Sequence, residues 1–156
     1  TLFPIDTGWF AKDQPFAYLR DDRPVYAAGG DAWLEATPPV LTYFQALPGL
    51  MLTLAIGVDR LRDYSLKQQA VLTQALEEHG IATHTPANHG AYVLIGADDG
   101  HAATAKLKEH GVNCDARPCP GSGRWVVRLC PDLLNSDDEL RRAAERIAKV
   151  IPARAR

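Results

Sequence analysis

The sequence lacks the motifs that assign a function class directly. Its 156 residues contain no HExxH or similar histidine spacing, no P-loop and no GxGxxG. The three cysteines, Cys114, Cys119 and Cys130, form no CxxC pair, so a metal site is not expected. An odd cysteine count without a regular framework indicates free thiols in a reducing compartment, and we expect a cytoplasmic protein.

Charge excess and long apolar runs are also missing. The formal net charge is -2, which gives no broad electrostatic case for binding nucleic acid or an anionic membrane surface. No run of about 18 apolar residues is present, so no membrane span is expected. Hydrophobic residues make up 46% and charged residues 23%, an ordinary balance for one globular domain with a real core.

The first 37 residues lack a regular period. Pro15, Pro24 and the Gly29-Gly30 pair break any long element, and Gly8-Trp9-Phe10 predicts an exposed aromatic turn. Irregular stretches of this length are usually functional or docked on another polypeptide.

A helix is predicted to follow this irregular arm. Thr37-Pro38-Pro39 is typical of a helix start, with Thr37 as the N-cap. The next residues are apolar nearly all round, so we expect a buried helix. Pro48-Gly49 should kink or break that helix, and Gly57 should end it.

The remainder of the chain alternates between helical and strand patterns. A long amphipathic helix is predicted over 58–79, interrupted on its apolar face by Gln68. Another helix is predicted over 101–110, and Ser136-Asp137-Asp138-Glu139 is a capping box that opens the last one. Strands are predicted over 81–85, 91–95, 112–116 and 125–129. This order predicts an α+β layer, in which a small, mostly antiparallel sheet is covered on one side by helices.

Arg128 is the first candidate for a functional side chain. Strand alternation places Val127 and Leu129 on one face and Arg128 on the other. A guanidinium on a rigid strand suits bidentate binding of a carboxylate. The alternative is an ordinary exposed strand arginine; Arg117 and Arg124 are nearby alternatives for an anion site, and Asp115 could simply pair with Arg117.

Thr37 and Trp9 are the other candidates. A helix N-terminus with a hydroxyl at its cap is suited to binding phosphate, although an ordinary N-cap has the same appearance. The Trp9 indole can donate its N–H to a phosphate or stack on an aromatic ligand, and the alternative is an aromatic residue at an interface.

Several segments together carry a family resemblance. They are Gly8-Trp9-Phe10, Glu35-Ala36-Thr37-Pro38-Pro39, Gly111-Val112-Asn113-Cys114-Asp115-Ala116-Arg117, Val127-Arg128-Leu129-Cys130-Pro131 and Leu134-Asn135-Ser136. Their order and spacing resemble kynureninase, and more broadly the class V aminotransferase family of pyridoxal-phosphate (PLP) enzymes, over nearly the whole chain.

The resemblance implies the C-terminal part of a fold-type I PLP-dependent transferase. Residues 1–57 would be the end of the large PLP-binding domain, with an aromatic arm and a connecting helix, and residues 58–156 the small α/β domain. Arg128 would bind the α-carboxylate of an amino-acid substrate. Trp9 and Thr37 would hold the phosphate of pyridoxal 5'-phosphate, in the site of a neighbouring subunit of a homodimer.

The resemblance also implies that catalysis needs residues outside this chain. The family's Schiff-base lysine precedes the Gly-Trp-Phe turn, so no catalytic residue is expected here and the chain alone should be inactive. The implied reaction is hydrolysis of an aromatic β-keto amino acid such as kynurenine at its Cβ–Cγ bond. An aminotransferase, an epimerase, a cysteine-desulfurase-like lyase and a non-catalytic partner-binding domain remain alternatives.

Overall fold

The computed structural model describes residues 2, 4–5, 8–20, 22–119 and 121–153. The chain divides into two compact units, Thr1–Thr53 and Leu54–Arg156. The resemblance places its domain boundary slightly later, after Gly57. The assignment of the two parts to a cofactor domain and a small domain stays a prediction.

The first unit begins with short turns, as the lack of periodicity predicts. Its 3-10 helices are Trp9–Ala11, Pro15–Ala17 and Gly29–Trp33. Ala27, just before the third of these helices, donates its N–H to the carbonyl of Ala11, the last residue of the first one (2.9 Å). The Ala11 side chain is fully buried by this arrangement.

Helix α1, Val40–Ile56, differs from the prediction in its start, its continuity and its burial. Thr37 lies upstream of the first helical residue and is therefore not the N-cap. Pro48 does not break the helix, because the absence of one N–H removes a single bond of the ladder. No side chain of α1 is buried, and Leu41 and Leu54 are 77% and 74% exposed.

The expected burial of α1 was wrong for a physical reason. An apolar composition determines how much free energy a helix gains when it is buried, but it does not provide the element that buries it. Among the described residues, no single helix is long and apolar enough to cross a bilayer. Helix α1 and the following helix, Val58–Glu78, meet that test only as a pair bent by 82°, on length and composition.

The second unit contains the remaining helices. Helix α2 runs over Val58–Glu78, α3 over Gly100–Glu109 and α4 over Asp137–Ala148. Helix α4 begins with the predicted capping box, in which the Ser136 hydroxyl accepts from the Glu139 N–H and the Glu139 carboxylate accepts from the Ser136 N–H. These helix predictions are confirmed to within a few residues.

The sheet of the second unit is antiparallel, with the order β1-β3-β2. Its strands are β1 Val93–Ala97, β2 Asp115–Pro118 and β3 Trp125–Leu129. The predicted strand over 81–85 is wrong, since only Thr83 forms a bridge, to Ile95. Regular pairing of the 81–85 segment with β1 is interrupted at Thr85, whose hydroxyl accepts a hydrogen bond from the Leu94 N–H (3.0 Å) in place of a backbone carbonyl.

One face of this sheet packs against α2, α3 and α4 to form the core. Val127 and Leu129 lie on that face, as strand alternation predicts, while Arg128 points to the other face. The second unit is therefore an α+β layer with helices on one side of a small antiparallel sheet. The buried side chains of the core are Leu72, Ala75, Leu76, Ile81, Val93, Ile95, Ala97, Leu107, Val112, Val127, Leu129, Leu140, Ala144, Ile147 and Ile151.

Candidate functional site

Arg128 lies in the middle strand, on the face of the sheet turned away from the core, which we call the open face. The register pairs Arg128 with Leu94 of β1 and with Asp115 of β2. Arg117, two residues further along β2, lies on the same face opposite Val126. Strand pairing therefore brings two guanidinium groups and one carboxylate together on the open face.

The three charged side chains form one ion-paired cluster, which we call the Arg128 cluster. Arg128 donates from Nε to Asp115 Oδ1 (3.0 Å) and from Nη2 to Asp115 Oδ2 (2.7 Å). Arg117 donates from Nη2 to the same Oδ2 (2.8 Å). The side chains of Arg128 and Asp115 are each 38% exposed, so the cluster is open to a ligand from solution.

The pKa values of the pair move in the directions that this pairing requires. The hydrogen bond from Arg128 is the largest influence on Asp115 and lowers the pKa of its carboxyl, and the Arg117 charge adds to the effect. The hydrogen bond to Asp115 raises the pKa of the Arg128 guanidinium, with smaller contributions from Cys130 and Tyr92. All three charges are therefore present at neutral pH, and the Arg128 cluster carries a net charge of about +1.

Helix α2 fixes the turn that follows β3. The buried Gln68 side chain donates from Nε2 to the carbonyls of Asp132 (2.7 Å) and Asn135 (2.9 Å). The Tyr64 hydroxyl also donates to the Asn135 carbonyl (3.3 Å). Gln68, which interrupts the apolar pattern of α2, is thus a tether between that helix and the connection from β3 to α4.

Trp9 lies in a cluster of aromatic rings in the first unit. Its ring meets Phe10 edge-on at 4.4 Å and Phe16 edge-on at 5.6 Å, and it lies nearly parallel to Tyr18 at 6.4 Å. The side chain is still 42% exposed, and no hydrogen bond from its indole N–H occurs among the described residues. The N–H is available to a ligand, while one ring face is directed at Tyr18.

Gly8, at the start of the Trp9 turn, packs closely against the backbone of Glu35, two residues before Thr37. A Cβ at Gly8 would overlap the backbone carbonyl of Glu35, so only glycine permits this close approach. Thr37 follows two residues later and is exposed. The structure therefore brings the segments of Trp9 and Thr37 together within the first unit, while Arg128 belongs to the second unit.

The residues present fit part of what PLP requires. The Trp9 indole N–H and the Thr37 hydroxyl are exposed donors without hydrogen-bond partners in the described chain, which suits a phosphate group. Lys12 is the lysine nearest in sequence, and its Nζ donates to the Leu19 carbonyl (2.7 Å). Lys12 therefore has a hydrogen-bond partner within the first unit.

A groove and the Cys114 thiol are two further features of the second unit, and neither includes Arg128. A groove of about 460 Å³ runs between α4 and the end of β3, lined by Asn113, Cys130, Arg142 and Arg146 among others. Burial raises the pKa of the Cys114 thiol, which keeps it protonated. Within the described ranges, no group of three or more His, Cys, Asp or Glu side chains could hold a metal ion.

The predicted pairing of Asp115 with Arg117 is confirmed, but the pairing of Asp115 with Arg128 was missed. Asp115 pairs with Arg117, as considered, but its bidentate partner is Arg128. The available signal was that both residues are charged and lie on predicted strands that an antiparallel sheet can pair.

In comparisons with known proteins, no protein-family model matches the chain, and no curated protein matches it.

Proposed function

We propose that this chain is the C-terminal portion of a PLP-dependent enzyme that acts on an amino acid, and that its reaction is a kynureninase-like hydrolysis. The observation that carries the proposal is the Arg128 cluster, which presents two partly exposed guanidinium groups and a net positive charge on neighbouring strands. Arg128 binds the α-carboxylate of the substrate and orients the amino acid. When bound, PLP would supply the electron sink for cleavage of the Cβ–Cγ bond of the amino acid.

The first unit supports the cofactor side of this proposal. Trp9 and Thr37 offer two donors on neighbouring segments, and we assign them to the phosphate of PLP. The Schiff-base lysine and the other reacting groups come from another polypeptide region, either of the same enzyme or of a second copy in a homodimer. The apolar α1 surface supports such a partner, because an exposed helix of this composition gains free energy when it is covered.

The proposal is tested on the native protein, isolated together with any polypeptide that accompanies it. We expect the visible absorbance of bound PLP and cleavage of L-kynurenine. In that preparation, Arg128→Lys should lower kcat/KM by about two orders of magnitude, since lysine cannot reproduce the bidentate fork.

The matched control is Arg141→Lys, the same change on the exposed surface of α4. This variant should keep kcat/KM within about twofold, because surface substitutions away from a site have small effects. A native protein without PLP absorbance, or equal kinetics for the two variants, would contradict the proposal.

A non-catalytic partner-binding domain is the second candidate, and the exposed apolar side chains of α1 favour it. A partner-binding domain has no need for an arginine that binds a substrate carboxylate. Under this alternative, Arg128→Lys leaves partner binding unchanged, whereas Leu41→Asp in α1 abolishes it. Native mass spectrometry of the two variants distinguishes these outcomes.

A further inference from the structure

The geometry points to Asp115 as a positioning residue that fixes the Arg128 guanidinium with one edge open to the substrate carboxylate. This inference rests on the proposed function, in which Arg128 binds that carboxylate. It adds a specific role for a residue that the family resemblance leaves without one.

Arg128 uses only some of its hydrogen-bond donors in the ion pair with Asp115. A guanidinium has five N–H donors in a planar fork. Asp115 takes the Nε edge, through the bonds from Nε and Nη2. No hydrogen bond from Nη1 occurs among the described residues, so the end-on edge formed by Nη1 and Nη2 remains available. That edge is itself suited to bidentate binding of a second carboxylate.

Asp115 is held in place by its strand pairing and by Arg117. It lies directly opposite Arg128 in the β2–β3 register, where paired Cβ atoms are about 5 Å apart. Arg117 binds the same Oδ2 atom from further along β2. Asp115 is thus held by its strand and by a second cation, so the direction of the Arg128 fork is set before a ligand arrives.

The net charge of the Arg128 cluster favours addition of a carboxylate. Two guanidinium groups and one carboxylate give the Arg128 cluster a net charge of about +1, so a substrate carboxylate neutralises it. Displacement of Asp115 would only exchange one carboxylate for another. It would also break the contacts that Asp115 makes with Arg128 and Arg117. Addition at the open edge is therefore favoured over displacement, and Asp115 orients the site without blocking it.

The experiment measures binding of L-kynurenine to the chain by NMR, in about 0.5 M salt so that long-range charge effects are screened. The unaltered chain should bind with a dissociation constant on the order of 1–10 mM, a level consistent with one bidentate contact. The Arg128 Nε–H signal, which hydrogen bonding to Asp115 protects from exchange, is the second readout.

Asp115→Asn removes the charge but keeps the shape. We expect it to broaden the Arg128 Nε–H signal and to weaken L-kynurenine binding by about three- to tenfold, because the fork loses its fixed direction. Asp115→Glu, which keeps the carboxylate, should restore part of both. Asp63→Asn, the same change on the exposed surface of α2, should alter neither. An amine analogue of kynurenine that lacks the carboxylate should not bind.

The outcomes separate the inference from the proposed function. If Arg128→Lys weakens binding while Asp115→Asn leaves it unchanged, the proposed function survives and the inference is overturned. Tighter binding by Asp115→Asn also overturns it, because Asp115 would then be a competitor for the fork. Absence of binding by the unaltered chain, or equal binding by all variants, overturns the inference, while the PLP absorbance and kinetics of the native protein decide the proposed function separately.

Discussion

Gln68→Leu should destabilise the second unit although it makes the apolar face of α2 continuous. Gln68 is 2% exposed and donates two hydrogen bonds to the carbonyls of Asp132 and Asn135. Leucine has a similar volume and fits the apolar pattern, but it cannot make these bonds. Sequence periodicity alone favours the substitution, so the sign of its effect tests the tether directly.

The magnitude follows from the bonds that are lost. Each contributes about 0.5–1.5 kcal/mol, so their removal costs about 1–3 kcal/mol in the free energy of unfolding. The Asn135 carbonyl keeps the Tyr64 hydroxyl as a donor, and Asp132 is exposed enough for water to reach it, which favours the lower half of that range. For a domain of this size, about 1 kcal/mol lowers Tm by about 4–8 °C.

The assay is urea unfolding followed by far-UV circular dichroism, with Gln74→Leu as the control. Gln74 lies on the same helix, but it is exposed and bonds only to Glu78 one turn away (2.9 Å). We expect the control to change stability by less than about 0.5 kcal/mol. If Gln68→Leu is as stable as the control, or more stable, the tether does not hold the turn after β3 and the reasoning is refuted.

Further predictions concern the helix cap, the ion pair and the glycines. Ser136→Ala should cost about 1 kcal/mol in the free energy of unfolding, measured in urea, because the capping box of α4 loses its acceptor. The pKa of Asp115 is lowered on folding, so its stabilising effect is complete above the ordinary aspartate pKa and is lost as pH falls through the lowered value. The difference between the urea midpoints at neutral and at acidic pH should therefore be smaller for Asp115→Asn than for the unaltered chain. Gly8→Ala should abolish the near-UV signal of the aromatic cluster because its Cβ meets the Glu35 carbonyl, whereas Gly49→Ala, with open space around it, should retain that signal.

The features that the sequence predicted correctly depend on local signals. The capping box at Ser136 involves atoms only three residues apart, so it can be read from the chain alone. Helix α2 repeats its apolar positions over five turns, and a single polar interruption at Gln68 does not obscure the pattern. In β3, alternation assigns Val127 to the core and Arg128 to the opposite face without knowledge of the neighbouring strands.

The features that were missed depend on partners distant in sequence. Periodicity could not show that Gln68 meets carbonyls 64 and 67 residues away, and it marked that residue only as an interruption. For α1, composition predicted burial, but the described residues leave that helix uncovered. Thr37 failed as an N-cap because Pro38 and Pro39 place the first helical residue at Val40, out of reach of its hydroxyl.

The Arg128–Asp115 pair shows why a candidate site residue could be assigned to a face but not to a partner. Alternation is preserved when a strand slips by two residues, so the apolar pattern permits several registers of β2 against β3. A slip that placed Arg117 opposite Arg128 would set two guanidinium groups side by side, which is destabilising. The observed register places Asp115 opposite Arg128 and Arg117 opposite Val126, and both cations then share one carboxylate. The charges of the candidate site therefore help to select the strand register that positions them, and Asp115→Lys should disfavour this register as well as the ion pair.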